Sequence, residues 1–166
     1  MAEKSSVFKQ KLKHKGFFNF NELYNFCYSW MIDEGYQLSE DEYSEKLASN
    51  GKEVVIKWVA KKKITDYFRN FIELKWRIIG LNDAEVDIGG KKDKTNKGDL
   101  SIEFSADLER DWDDKWAGKP FNKFLRGIYD KYVIRTTVDE YEERLKERVS
   151  EFFNQVKGFL LLEGQK

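Results

Sequence analysis

Acidic side chains recur at alternate positions in two neighbouring stretches of this sequence. They are Glu85 and Asp87 in the first stretch, and Asp99, Glu103, Asp107 and Glu109 in the second. If each stretch is a strand, alternate residues share a face, and paired strands would bring carboxylates within about 10 Å of one another. A divalent cation could balance them, but Arg69, Lys75 and Arg77 lie on the same face of the preceding predicted strand. We therefore predict a ladder of cross-strand ion pairs and no metal site.

Histidine and cysteine, which serve as base and nucleophile in many hydrolytic sites, each occur once in this chain. His14 is the single histidine, and we interpret it as a surface residue because it lies in a lysine-rich stretch near the N-terminus. Cys27 is the single cysteine, so no intrachain disulfide is expected, and its place on an apolar helix stripe predicts an inert, packed thiol. Gly89-Gly90 opens no helix and so lacks the context of a phosphate-binding loop. We predict no catalytic residue and no cofactor.

Two lysine-rich stretches raise the question of nucleic-acid binding. Residues 91–97 contain four lysines, and Lys61-Lys62-Lys63 ends another predicted strand. Lysines can contact phosphates, but base stacking also needs exposed aromatic rings beside them. Tyr67 and Phe71, on the predicted outer face, are the nearest candidates, and neither stretch contains a ring of its own. We therefore do not expect a nucleic-acid partner.

The segment Asp111-Trp-Asp-Asp-Lys-Trp116 places two tryptophans four residues apart among acidic side chains. We interpret Trp112 and Trp116 as rings that close the open end of a sheet. A peripheral membrane contact is one alternative, because tryptophan anchors proteins at membrane surfaces, although the three aspartates oppose an anionic surface. Contact with a protein or another ligand is the second alternative.

We expect the carboxylates and lysines described above to lie on a sheet, because polar and apolar residues alternate along residues 53–108. The even-numbered residues are mostly apolar and the odd-numbered ones are mostly charged, which predicts strands with one buried face. Gly80-Leu-Asn-Asp83 is expected to be a turn, and 91–98 a polar loop. The pattern therefore predicts four antiparallel strands, at 52–62, 65–80, 84–89 and 99–109.

Two further strands are predicted outside this stretch. Lysines alternate with other residues over 7–15, which suits an edge strand, with a flexible basic arm as the alternative. Asn50-Gly51 is the preferred central pair of a two-residue hairpin, so we predict that a strand at 42–49 pairs with 52–62. A short helix that starts in the acidic stretch 39–42 is the alternative.

Three helices are predicted from apolar residues spaced three and four apart. The first covers 22–32, with Asn19 and Glu22 as a capping box and Gly35 after its end. The second covers 120–133, and the third begins at a capping box of Thr137 and Glu140 and runs for roughly 25 residues, about 37 Å. The order of elements predicts a single α+β domain over 1–166. Its curved antiparallel sheet has five to six strands, helices cover one face, and the C-terminal helix crosses the sheet.

Composition and charge narrow the class of protein. Thirty basic and thirty acidic residues balance, so we expect no strong bulk attraction to nucleic acid or to an anionic membrane. The charge is segregated, since 1–20 contain five lysines and one acid, whereas 21–51 contain seven acids and one lysine. The absence of an apolar signal core and of any apolar run near ~20 residues predicts a cytoplasmic protein.

The predicted order of elements resembles the helix-grip, START-like group, in which a curved sheet grips a long C-terminal helix. The chain departs from that group by having a helix at 120–133 just before the final one. The amino-acid sequence of two segments also resembles that of small uncharacterised archaeal proteins. Membership of that family would imply no particular activity. These segments run from Trp76-Arg-Ile-Ile-Gly-Leu81 through Asn96-Lys-Gly98, and from Lys119-Pro-Phe121 through Lys131-Tyr132.

Large rings on the inward face of the sheet, opposite the last helix, suggest an apolar pocket with few polar groups. The predicted ligand-binding residues are Trp58, Phe68, Asn70, Trp76, Phe104, Tyr141, Leu145 and Phe152. The helix-grip resemblance implies a non-catalytic protein that holds an apolar or lipid-like ligand there. The alternatives are a solid core, a protein-interaction module that uses the segregated charges with Trp112 and Trp116, and an enzyme on the same cavity. The enzyme would use Asn70, Tyr141 or a carboxylate as its acid–base group.

Overall fold

The computed structural model describes residues 3–112, 124, 128 and 135–164. Its elements, in chain order, are β1 (Glu3–Phe18), α1 (Phe20–Asp33), β2 (Gln37–Ala48), β3 (Gly51–Lys63), β4 (Phe68–Ile88), β5 (Lys91–Arg110) and α2 (Arg135–Gly164). Phe124 and Ile128 are helical, and the rest of the helix predicted at 120–133 lies outside the described residues.

The five described strands form one antiparallel sheet in the order β1-β5-β4-β3-β2. Both described helices contribute to one buried cluster together with the inward face of the sheet, and α2 packs chiefly on β1 and β5. The α+β class, the antiparallel sheet and the C-terminal helix packed on it are therefore confirmed. The described residues contain five strands and no sixth.

The alternation of apolar residues correctly identifies the inward face of the sheet. Trp58 and Trp76 are each 1% exposed, and Phe104 is fully buried. Tyr67 was expected on the outer face but is buried, with its ring edge-on to Phe68 at 5.0 Å between centroids. The reason is that β4 begins at Phe68, so Tyr67 belongs to the preceding bend, where strand alternation does not apply.

The predicted turn at Gly80-Leu-Asn-Asp83 is wrong, because β4 continues through it to Ile88. The register against β5 shifts between Ile79 and Asn82, so two residues of β4 face one residue of β5. Gly80 has φ +69°, which lets the strand bulge there without ending. Residues 53–108 thus form three strands, and the expected loop 91–98 is part of β5.

The turn between β4 and β5 lies at Gly89-Gly90, where both residues have positive φ. Ile88 pairs with Lys91, so these two glycines are the central pair of a tight hairpin. The pairing of β3 with β4 ends at Leu81, and that of β1 with β5 ends at Asn96. The tip of the β4–β5 hairpin therefore extends beyond both neighbours as a two-stranded arm.

The predicted hairpin between β2 and β3 is confirmed, but its central residues are Ser49 and Asn50, one position earlier than expected. Gly51 begins β3 with φ +125°. A Cβ there would lie 2.7 Å from Asn82 Nδ2 and 2.9 Å from the Leu81 carbonyl oxygen. Asn82 Nδ2 also donates to the Asn50 carbonyl at 2.9 Å. The hairpin end is thereby held against the bulge of β4.

The predicted N-cap at Asn19 and the end of α1 at Gly35 are confirmed, whereas the second bond of a capping box, from the Asn19 N–H to the Glu22 carboxylate, is not among the hydrogen bonds of these two described residues. Asn19 Oδ1 accepts the backbone N–H of Glu22 at 3.0 Å, and the helix begins at Phe20, two residues earlier than predicted. At the other end Gly35 has φ +87°, and the N–H of Tyr36 donates to the carbonyl of Met31 at 3.0 Å. This is a Schellman motif, and it directs the chain into β2.

The terminal elements are longer than predicted. The strand predicted at 7–15 is confirmed as β1, an edge strand of the sheet. The capping box expected at Thr137 and Glu140 is wrong, because α2 already includes Arg135 and Thr136. Glu140 instead accepts from Arg144 at 2.8 Å, one helical turn later.

We expect Gly51→Ala to destabilise the protein more than Gly16→Ala. Both glycines have φ +125°, but a Cβ at Gly16 would meet nothing within 4 Å, whereas one at Gly51 would meet the bulge of β4. The backbone conformation alone costs roughly 1–2 kcal/mol for alanine, and overpacking at Gly51 adds about 1–3 kcal/mol. Urea unfolding of both variants measures the difference, and equal losses would contradict the contact between Gly51 and the bulge.

Candidate functional site

Aromatic rings fill the centre of the layer between the sheet and the helices, where Trp58 and Trp76 pack against Tyr24 of α1. Trp58 and Trp76 lie with ring centroids 5.4 Å apart, and Phe152 of α2 stacks on Trp30 at 4.1 Å. Phe104 meets the edge of Phe152 at 5.5 Å. Five of the eight predicted ligand-binding residues are therefore packed core side chains that are at most 2% exposed: Trp58, Phe68, Trp76, Phe104 and Phe152.

The other three predicted residues line a pocket of about 280 Å³ at one end of this layer. We call it the α2 pocket. Its lining residues are Glu34, Tyr36, Lys62, Ile64, Asn70, Tyr141, Arg144, Leu145 and Arg148. Tyr141, Arg144, Leu145 and Arg148 follow the spacing of one helix face, so α2 forms one wall. Tyr36, Ile64, Tyr141 and Leu145 make the interior of this pocket largely apolar.

One polar pair lies within the apolar part of the α2 pocket. Asn70 Nδ2 donates to the hydroxyl oxygen of Tyr36 at 3.3 Å. Asn70 Oδ1 is buried and accepts no hydrogen bond in the described part of the chain. Burial raises the pKa of Tyr36 to about 12, a shift that the hydrogen bond from Asn70 opposes, so its phenol stays protonated at neutral pH. The pocket therefore holds neutral hydrogen-bonding groups on an apolar wall.

Cationic side chains surround the mouth of the α2 pocket. Arg148 is paired with the carboxylate of Glu34 and, at 2.7 Å, with Glu151. The hydrogen bond to Glu34 raises the pKa of Arg148 above its ordinary value. Lys62 makes no ion pair with a described residue, and its Nζ lies 5.7 Å from the ring centroid of Tyr36. Lys62 is therefore the uncompensated charge at this mouth.

A second pocket, of about 430 Å³, lies on the other side of Lys62. We call it the basic pocket. It is lined by Gly35, Gln37, Lys61, Lys62, Lys63, Arg69 and Trp112. Trp112 Nε1 donates to the carbonyl of Thr65 at 3.0 Å, and the Arg69 guanidinium lies 5.1 Å from its ring centroid. These contacts place an aromatic ring beside the lysine run.

The proximity of Trp112 to the lysines is not visible in the sequence. Trp112 lies far from Lys63 in the chain, and no local signal links them. The β4–β5 register makes the connection, because Phe68 pairs with Arg110 and so brings the end of β5 to the start of β4. Trp116, its predicted companion, lies outside the described residues, as do Asp113 and Asp114.

The predicted gathering of carboxylates is wrong. Because β4 is continuous, Glu85 and Asp87 lie on the arm, opposite Lys94 and Lys92, far along the sheet from Asp107 and Glu109. No group of three or more metal-ligating side chains occurs among residues 3–112 and 135–164. The predicted ladder of cross-strand ion pairs is confirmed at Arg69, whose guanidinium contacts Glu109 at 2.7 Å. Arg77 pairs instead with Glu53 of β3 at 3.1 Å, and Lys75 with Glu73 of its own strand at 3.3 Å.

The surroundings of His14 and Cys27, the two side chains considered above for catalysis, are those of structural residues. A ring nitrogen of His14 lies 2.9 Å from the carbonyl oxygen of Phe17 on the same strand. Cys27 is fully buried on α1, which confirms the interpretation of a packed side chain, and burial raises the pKa of its thiol.

Comparison with protein-family models, with curated proteins and with solved structures finds no match for this chain. The resemblances to the helix-grip group and to archaeal proteins therefore stay predictions. Among the helices of the described residues, none is long and apolar enough to cross a lipid bilayer. A function is therefore inferred from the geometry of the α2 pocket and the basic pocket.

We expect the ionisation of Tyr36 to lower the free energy of unfolding at alkaline pH. The unfolded phenol ionises near pH 10, and the folded one at about 12. The stabilising contribution is therefore complete below about pH 10 and decreases as the pH rises towards 12. Between about pH 8 and about pH 11 the wild type should lose roughly 1 kcal/mol more than Tyr36→Phe. Urea unfolding at both pH values tests this, and equal losses would show that Tyr36 ionises normally.

Proposed function

We propose that this protein is a non-catalytic binding protein that holds a small apolar or lipid-like ligand in the α2 pocket. The observation that carries the proposal is the largely apolar pocket of about 280 Å³ between the sheet and α2. Ligand sites are typically concave and apolar with a few placed polar groups, and Asn70 and Tyr36 are such groups here. The proposed site therefore lies at the end of the layer between sheet and helices, whereas the sequence predicted a site at its centre.

The size of the α2 pocket limits the ligand. An engineered apolar cavity of about 150 Å³ accepts benzene, and sites for drug-sized molecules begin at about 300 Å³. A pocket of about 280 Å³ therefore suits a short alkyl chain or a substituted ring rather than a long-chain lipid or a sterol. The pocket is open to solvent, so part of a longer ligand could extend beyond it.

The polar groups of the α2 pocket favour binding over catalysis. Tyr36 remains a neutral phenol at physiological pH, and the Asn70 amide does not titrate. Neither group is a general base near pH 7, where efficient acid–base catalysis requires a matched pKa. An amide and a phenol can instead orient a hydroxyl or carbonyl group of a bound molecule by hydrogen bonding.

The second candidate function, a protein-interaction module, is favoured by the edges of the sheet. β1 and β2 form opposite edges, and the segregated charge of the sequence places lysines on β1 and acids on β2. Glu40, Asp41, Glu42 and Glu45 of β2 are all exposed, and Leu47 is 86% exposed beside them. An exposed edge strand can pair with an extended segment of a partner, and this charge would select a basic one.

We expect Ile64→Trp to abolish binding of 1-octanol, because the larger ring would occupy the α2 pocket that Ile64 lines. Isothermal titration calorimetry measures the effect. Ile88→Trp is the matched control, since Ile88 is 43% exposed on the arm and lines no part of this pocket. Binding should fall at least ~10-fold in the first variant and stay within about 2-fold in the control. Undiminished binding to Ile64→Trp would contradict the location of the site.

We expect Asn70→Leu to separate binding from stability. The substitution removes a buried acceptor that has no partner in the described chain, which offsets the loss of a 3.3 Å hydrogen bond. The free energy of unfolding should therefore change by less than about 1 kcal/mol. Binding of 1-octanol should weaken, because its hydroxyl loses a hydrogen-bond partner. A large loss of stability with unchanged binding would identify Asn70 as a structural residue.

A further inference from the structure

The end of β3 concentrates positive charge at one corner of the sheet. Lys61, Lys62 and Lys63 pair with Phe71, Asn70 and Arg69 of β4, so the lysines alternate between the two faces of the strand. All three, together with Arg69, nevertheless line the basic pocket, because it lies where β3 meets the start of β2. Among the described residues, no carboxylate lines this pocket.

Two of these four cations are already balanced by acids. Arg69 contacts Glu109 at 2.7 Å, and Lys63 contacts Asp66 at 2.8 Å. Lys61 and Lys62 make no ion pair with a described residue, and each lies within 6 Å of an aromatic ring instead. The basic pocket thus retains two uncompensated ammonium groups on adjacent residues.

One wall of the basic pocket is held in place. Trp112 is tied to Thr65 by the hydrogen bond from its indole nitrogen, and Arg69 lies over its ring while bonding Glu109. The Glu109 side chain is 5% exposed, so this ion pair is largely shielded from solvent. A positioned wall lowers the ordering cost of binding.

The chemistry of the free cations favours a phosphate group. Lysine binds phosphate as a point charge, and a phosphate monoester carries about −1.5 to −2 charge at pH 7 with three strong acceptor oxygens. Lys61 and Lys62 extend from opposite faces of β3, and both line the basic pocket. A monoester bound between them would be balanced by both charges, whereas a carboxylate carries half the charge. The volume of about 430 Å³ leaves room for the ester linkage beside the phosphate.

The two pockets are neighbours. Lys62 lines both, and the consecutive residues Gly35 and Tyr36 line the basic pocket and the α2 pocket respectively. Gly35 lies against the Lys62 stem, since a Cβ built there would be 3.6 Å from Lys62 Cε. A single molecule can therefore place an apolar chain on one side of Lys62 and an anionic group on the other.

We propose that the basic pocket binds a phosphate monoester group, which is the headgroup of an alkyl phosphate whose chain lies in the α2 pocket. The assignment of the phosphate as a headgroup rests on the proposed function, and phosphate binding by itself does not. Lys61 and Lys62 neutralise the phosphate charge. Arg69 and Trp112 shape the wall against which it lies.

The test compares three probes by isothermal titration calorimetry: 1-octanol, octyl phosphate and inorganic phosphate. Lys61→Met/Lys62→Met removes both charges and keeps unbranched side chains of similar size. Lys91→Met/Lys92→Met is the matched control, because it removes the same charge from exposed positions at the tip of the arm.

We expect octyl phosphate to bind the wild type at least ~10-fold more tightly than 1-octanol. The first double variant should lose this advantage, whereas the control should change neither affinity more than about 2-fold. Because Lys62 also lines the α2 pocket and Lys61 does not, Lys61→Met alone is the variant that should reduce the advantage and still bind 1-octanol.

The outcomes separate the two proposals. Equal affinity for 1-octanol and octyl phosphate, or an equal loss in both double variants, would overturn the phosphate site and leave the apolar ligand in place. Binding of inorganic phosphate that requires Lys61 and Lys62, without any binding of 1-octanol, would support a site for free phosphate. That result would overturn both the headgroup assignment and the proposed function. Binding of none of the three probes would overturn both proposals.

Discussion

The long antiparallel pairing of β4 with β5 is the constraint on which the rest of the structure depends. It runs from Phe68 opposite Arg110 to Ile88 opposite Lys91, and β3 and β1 attach to its two sides. A slip of one residue in this register would turn every inward side chain to the solvent face. The Gly89-Gly90 turn and the bulge at Gly80 set the register at the arm end. At the other end the same register brings Arg69 to Glu109 and Trp112 to Thr65.

The arrangement of the core explains why a pocket remains at one end of the sheet. In the centre, large rings from the sheet interdigitate with those of α1 and α2, and Trp58, Trp76 and Phe152 leave little room for a ligand. At the end of β3 the paired inward positions carry Asn70 and Lys62 instead of rings, next to the apolar pair Ala60 and Ile72. The polar amide and the long cationic side chain do not fill the space beneath Tyr141 and Leu145. The α2 pocket therefore lies where the inward face of the sheet changes from apolar to polar.

The sequence predicted the inward face of the sheet well, because a period of two is visible in any local window. It could not distinguish a bulge from a turn at Gly80-Leu-Asn-Asp83, since a glycine with positive φ is typical of both. The difference depends on whether β5 continues alongside, which is a tertiary property. Asn70 was singled out correctly as a polar residue on an apolar face. Its partner Tyr36 was not, because that contact depends on the Schellman turn after α1.

Two-dimensional amide NMR spectra recorded during a titration with 1-octanol would show whether the α2 pocket accepts an apolar molecule. We expect saturable shifts that centre on Tyr36, Asn70, Tyr141 and Leu145 and leave the amides of the arm unchanged. Shifts absent at these four positions, or spread over the arm and the exposed edge β2, would contradict binding in the α2 pocket. Shifts spread over the arm and β2 would instead favour a protein-interaction module that uses the acidic edge of the sheet.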